Sequence, residues 1–255
     1  MSIWGKVIGG AAGFALGGPL GAMMGVMAGN IYDKKRKASS AHQGIPNQQK
    51  QYQGISSQEK QHIFALSVIT LTAKLAKADG VVTQDEIQVF KEKFKIPPEE
   101  EEQVRKIFNE AQRTVYGFES IAQQVGELFH DSPEVLEEII NNLFFVAEAD
   151  GKISESELSF IKTVSSIFKF DENIFERIHQ ARLNDKESDP YKVLGVKRTD
   201  DEETIKNAWI KLTKEHHPDN LVAKGMPPEF IEQATKETSS INAAYDKINK
   251  QRNVN

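Results

Sequence analysis

Cysteine is missing from all 255 residues. That excludes disulfide bridges, thiolate metal sites and cysteine nucleophiles, and it fits a reducing compartment. No Gly-rich phosphate loop, HExxH spacing or Ser-His-Asp arrangement is visible, so nothing in the chain points to an enzyme or a cofactor. A cationic surface is also lacking over most of the chain. Net charge is −5, divided as +4 over residues 1–59, −9 over 60–187 and zero over 188–255. Phosphate binding needs cations, so nucleic acid is not expected as a partner. Charge of either sign is absent from residues 7–32, a run of 26 positions. Outside that run the chain reads as ordinary globular protein, long enough for two small domains and additional segments.

The uncharged run has a repeat of its own. Gly5, Gly9, Gly13, Gly17, Gly21, Gly25 and Gly29 recur at every fourth position. In water so many glycines oppose a helix, each by about 1 kcal/mol against Ala. In lipid an unpaired backbone costs more, so the helix forms. Twenty-six residues span about 39 Å as a helix, against a hydrocarbon core of about 30 Å. The glycines then make a ridge on which two such helices pack closely. A cleaved signal peptide would have a shorter apolar stretch. The run ends at Asp33-Lys34-Lys35-Arg36-Lys37, a basic flank that belongs on the cytoplasmic side. The expectation is a single-pass inner-membrane anchor over residues 1–32, kinked near Pro19, in contact with lipid and self-associating as a homodimer. The bulk of the chain is then cytoplasmic. Residues 33–57, rich in Ser, Gln, Gly and Asn, form a flexible linker.

Residues 58–183 read as all helix, with segments expected at 59–78, 84–94, 98–113, 118–130, 133–149, 155–168 and 172–183. Ala76-Lys77-Ala78-Asp79-Gly80-Val81-Val82-Thr83-Gln84-Asp85-Glu86-Ile87 aligns with a second copy 71 residues later, from Ala147 to Leu158. Each copy ends a helix at Ala-Asp-Gly and restarts it with a capping box, Thr83 with Glu86 and Ser154 with Glu157. This repeat resembles the TerB family of tellurite-resistance proteins. Acidic groups at the two turns raise the question of a divalent ion. Calcium needs six to eight oxygens, the spacing is not that of an EF-hand, and Glu86 and Glu157 are accounted for as caps. No metal site is expected, with Asp79 and Asp150 the remaining candidates.

The last segment is built around His217-Pro218-Asp219. Before it lies an amphipathic helix, 201–216, with Ile205, Ala208, Trp209 and Leu212 on one stripe and Lys206, Lys211 and Lys214 opposite. Pro218 disfavours helix in the residue before it and so marks the end. A second helix is expected over 228–250. Upstream stand Asp189-Pro190-Tyr191-Lys192-Val193-Leu194-Gly195-Val196 and the acidic start Asp200-Asp201-Glu202-Glu203. The order of these elements resembles the J-domain of the DnaJ family, over residues 188–252. The insert 221–229, the Glu215-His216 pair and the opening Trp4-Gly5-Lys6 resemble its DjlA branch. Ile210, Asn207 and Glu215 depart from the ordinary J-domain, which has basic residues there, so the positive field is thinner.

The resemblance implies an all-α protein of four parts: anchor, linker, TerB-like bundle and J-domain. It implies a non-enzymatic, membrane-anchored co-chaperone that docks on a DnaK-type heat-shock chaperone and stimulates its ATP hydrolysis. His217, Pro218, Asp219, Lys206, Lys211, Lys214 and Ile210 would form the docking face. The alternative is an acidic TerB-type stress-response or ion-binding protein with an accessory J-domain. Replacing Gly17 and Gly21 with Leu is expected to weaken self-association in a membrane two-hybrid assay. Unchanged association would refute the glycine ridge.

Overall fold

The computed structural model describes residues 55–78, 91, 94–113, 117–148, 151, 153–183 and 188–253, together with positions 18 and 21. The described elements are helical, without a strand among them, as the all-α reading requires. The glycine repeat (Gly21 apart), the first copy of the internal repeat beyond Ala78, with Asp79, Thr83 and Glu86, and Asp150 lie outside the described residues. Among the described residues, no helix is long and apolar enough to cross a membrane.

Helix α1, Ser57–Ala78, is the axis of the first body. Its entry is a capping box in which Ser56 N–H donates to Glu59 Oε2 (2.8 Å) and Glu59 N–H donates to Ser56 Oγ (3.3 Å). From Ile63 to Ala76 the helix is buried on every side, polar positions included, and its short Ser67 hydroxyl bonds back to the Ile63 carbonyl at 2.6 Å. A helix that is apolar all round must lie inside others. Around it stand α2 (Glu101–Ala111), α3 (Phe118–Leu128), α4 (Pro133–Ala147) and α5 (Glu155–Ile167), with α6 (Glu172–Arg182) against α4. Their ends fall within a few residues of those read from the sequence. The second capping box is present: Ser154 N–H donates to Glu157 Oε2 (2.8 Å) and Glu157 N–H to Ser154 Oγ (3.2 Å). Gly151, where the repeat calls for a left-handed residue, has φ of 99°.

The C-terminal body consists of a short turn α7 (Pro190–Val193), then α8 (Glu202–Glu215), α9 (Pro218–Ala223), a 3₁₀ turn (Pro228–Phe230) and α10 (Ile231–Asn253). Asp189 caps α7 and Asp201 caps α8, each side chain accepting a backbone N–H. A small core gathers Tyr191, Leu194, Ile205, Leu212, Ile241 and Ile248. Trp209 stacks on Tyr245 at 4.4 Å and donates its indole N–H to Asn242 at 2.7 Å, clamping α8 to α10.

The two bodies share apolar core. Leu221, Met226, Phe230 and Ala234 belong to the larger cluster around α1, not to the smaller one. The Phe230 ring lies 5.1 Å from Phe64, edge to face, and 4.8 Å from Phe94. Gly225 makes this insertion possible. Its φ is 106°, and a Cβ there would lie 2.7 Å from the Cβ of Lys60. Helix α10 therefore begins in one core and continues through the other, with Ala234 in the first and Ile241, Ala244 and Ile248 in the second. Phe230→Ala is expected to cost about 3–5 kcal/mol in denaturant unfolding, as for other buried aromatics. A loss below about 1 kcal/mol would show that the ring is not part of the core.

Candidate functional site

The His217-Pro218-Asp219 tripeptide sits where two helices meet. His216 closes α8, its N–H donating to the Leu212 carbonyl at 2.9 Å. His217 then opens α9 as its N-cap, with Pro218 in the first turn, where proline's fixed φ suits a helix start. The tripeptide is thus the beginning of a helix rather than an open loop. The Asp219 N–H donates to His217 Nδ1 at 3.2 Å, so Nδ1 is an acceptor and the ring's proton sits on Nε2. The His217 and Asp219 side chains remain 54% and 95% exposed. Asn220 ties the two helices together by donating to the Glu215 carbonyl at 2.7 Å.

Lys206, Lys211 and Lys214 are exposed along the outer face of α8. Ile210 stands one helical turn from both Lys206 and Lys214 and is 46% exposed, an apolar spot in a basic stripe. Ile205 and Leu212 face inward, as their spacing requires. The cationic stripe and the tripeptide thus lie on consecutive helices. Lys211 lies 3.9 Å from Glu215, but so exposed a pair adds little stability.

The neighbouring residue, His216, is 1% exposed and lies among charges from three other helices. Its Nε2 is 3.0 Å from Glu137 Oε2 on α4. Its Nδ1 is 3.3 Å from Glu138 Oε1 on α4 and 3.6 Å from Glu237 Oε2 on α10. Carboxylates at both ring nitrogens call for a doubly protonated imidazolium. Burial alone would lower its pKa, but Glu237, Glu137 and Glu138 outweigh burial and raise it well above the ordinary value. Arg177 from α6 donates to Glu137 and approaches Glu237 Oε1 at 3.5 Å. Burial pushes the Glu137 carboxyl up, yet Arg177 and His216 prevail and bring it down to about 2. Glu138 goes the other way. Burial and then the adjacent Glu237 raise it to about 8, which keeps it protonated. Asn141 donates to Glu237, and Thr238 Oγ1 donates to the His216 carbonyl at 3.1 Å. One turn earlier on α4, Glu134 receives Lys224 and Asn220.

Glu137, His216 and Glu237 are spaced like a metal's donor set, their ligand atoms lying within 4.8 Å of one another. The Arg177 guanidinium already occupies the cation's place between Glu137 and Glu237, and we read the group as an ionic cluster. Sequence reading missed it. The available signal was Glu137-Glu138 between Val135-Leu136 and Ile139-Ile140, where apolar residues on both sides leave no room for a solvated face. His130 is exposed, and His179 stacks on Phe144 at 5.3 Å.

Three family models match in chain order: Co-chaperone DjlA transmembrane domain over residues 1–42, Tellurite resistance protein TerB over 65–180 and DnaJ domain over 189–253. A co-chaperone protein DjlA from Shewanella oneidensis is 30% identical over 269 residues, covering all of both chains. The chain belongs to the DjlA co-chaperone family. Another DjlA, from Aliivibrio fischeri, is 30% identical over 288 residues, again covering both chains in full. The DjlA of Photobacterium profundum is 28% identical, covering 98% of this chain and 99% of its own. No solved structure matches. The family is one of non-enzymatic regulators, and the DjlA transmembrane match makes this a membrane-anchored J-domain co-chaperone.

Arg177→Leu is expected to destabilise the protein by about 3–5 kcal/mol, because it strands buried carboxylates. The sign with pH follows from Glu137. Its folded pKa lies below the ordinary 4.5. The stability it contributes is therefore present above about 4.5 and lost as pH falls toward about 2. Urea midpoints across that range should fall with acid in the parent and show a weaker acid dependence in the variant. An unchanged midpoint in Arg177→Leu would refute the ionic role.

Proposed function

We propose that the protein docks on a DnaK-type chaperone through His217, Pro218 and Asp219 and stimulates its ATP hydrolysis. What supports this reading is the exposed tripeptide at a helix start, continuous with the lysine stripe of α8. Pro218 and the His217 cap hold the polar groups in one arrangement, so little conformational freedom is left to lose on binding. Asp219 offers an acceptor to a cationic partner group, and His217 Nε2 offers a donor. Lys206, Lys211 and Lys214 steer association, and Ile210 between them adds an apolar contact that tunes partner choice. Residues 1–32 form the membrane span, crossing the inner membrane once and self-associating on the glycine ridge. Residues 33–57 are the tether, 58–183 the TerB-like domain and 188–252 the J-domain, both cytoplasmic.

The test is single-turnover ATP hydrolysis by a DnaK-type chaperone with the full-length protein in nanodiscs. His217→Gln should abolish stimulation at every salt concentration while circular dichroism is unchanged. Charge reversal at Lys206, Lys211 and Lys214 should instead slow association most at low salt, because exposed charges are screened over about 10 Å at about 0.1 M. Equal stimulation by wild type and His217→Gln would defeat the docking reading.

A further inference from the structure

We propose that His216 and the buried charges around it form a joint, loosened by proton loss, that positions the tripeptide on the TerB-like body. The proposal rests on the docking reading above for its consequence, but not for its physics. His216 immediately precedes His217, so whatever holds its backbone and ring also sets the start of α9. The ring is held from α4 by Glu137 and Glu138 and from α10 by Glu237, while Arg177 of α6 pairs with Glu137 and Glu237. Beyond this ring of groups lie Glu134 with Lys224, and Glu148 with Arg182. Lys236 stands on the exposed side of α10. The cluster therefore joins α4 and α6 of the TerB-like body to α8 and α10 of the J-domain.

Its charge balance depends on protons. Three carboxylates face two cations, Arg177 and a doubly protonated His216. One surplus negative charge remains unless a carboxyl is protonated, and Glu138 is the one held neutral. Glu138 Oε2 accepts no hydrogen bond, so an ionised Glu138 would have no donor at that oxygen. Loss of the Glu138 proton would leave a net buried charge, which is costly for a group held out of water. A cleft of about 270 Å³ between α4, α6 and α10, lined by Asn141, Arg182, Lys236 and Glu237 among others, gives solvent a route to the cluster. Leu221, Met226 and Phe230 lie in the apolar core and carry no titratable group. The response is a loosening around that anchor rather than a release.

The direction with pH follows. Glu138 and His216 both have folded pKa values above their ordinary ones. Their contribution is complete below about 4.5 and 6.5 respectively, and that of Glu138 is lost as pH rises through about 8. The Glu137 contribution runs the other way, failing only toward about 2. The joint is tightest on the mildly acidic side and slackens as pH rises through about 8.

The chain has no cysteine, so Ser166→Cys on α5 and Ala243→Cys on α10, both exposed, give a clean pair for spin labels. Distances are measured by double electron–electron resonance on the full-length protein in nanodiscs, at about pH 6 and about pH 9. Wild type should show one narrow distance at the lower pH and a broad distribution at the higher. Glu138→Gln, which is neutral at any pH, should stay narrow at both. His216→Gln, provided circular dichroism confirms folding, should be broad at both. A narrow distribution in wild type at both pH values, or a Glu138→Gln variant that broadens like wild type, would overturn the joint. Chaperone stimulation is measured in parallel, normalised to an unrelated J-domain protein. Stimulation that falls about tenfold or more with the broadening, and is retained in Glu138→Gln, supports the positioning role. Stimulation unchanged by broadening overturns that role. Broadening without stimulation at either pH overturns the docking reading and leaves the joint intact.

Discussion

The charge balance around His216 is the constraint on which the arrangement of the two bodies depends. Five ionisable side chains from four helices are taken out of water together. Burying an ion costs several kcal/mol even after relaxation, and only a partner in good geometry offsets it. A single misplaced member leaves its neighbours unpaired, so the cluster tolerates few alternative arrangements. The apolar contacts of Leu221, Met226 and Phe230 supply the attraction between the bodies. The ionic cluster supplies the register, because hydrophobic burial is not directional and ion pairs are.

This division of labour bears on the tripeptide. His217 and Asp219 are exposed, but their backbone is held on both sides: His216 by the cluster behind it, and Asn220 by the Glu215 carbonyl and Glu134. Their exposure and their fixed position have different causes. A motif on a free tether would lose conformational freedom on docking. One mounted on a packed frame has lost it already, at the time of folding. The basic stripe of α8 gains from the same frame, since its orientation relative to the TerB-like body is set by α10 passing through both cores.

Much of the architecture was legible in the chain. The helices 118–130, 133–149, 155–168 and 172–183 ended within a few residues of their expected limits, because their caps and periodicity are local properties. Ser154 with Glu157, and Gly151 at positive φ, are where the repeat placed them. The lysines and Ile210 are surface groups on a helix of regular period, so their relation to one another also follows from spacing. The cluster did not follow, since Glu137 and His216 are 79 positions apart, and the apolar flanks of Glu137-Glu138 point to burial without pointing to a partner.

By itself, then, the sequence determined the all-α class, the order of segments and the lysine stripe along α8. Each of those depends on interactions within a few residues along the chain. Tertiary structure alone decided that Phe230 would lie against Phe64, that α10 would enter two cores, and that His216 would be sealed among three glutamates while its neighbour His217 stays in water. Those outcomes depend on which faces meet across long separations. There the balance between desolvation and ion pairing is set by the whole packing rather than by any local pattern.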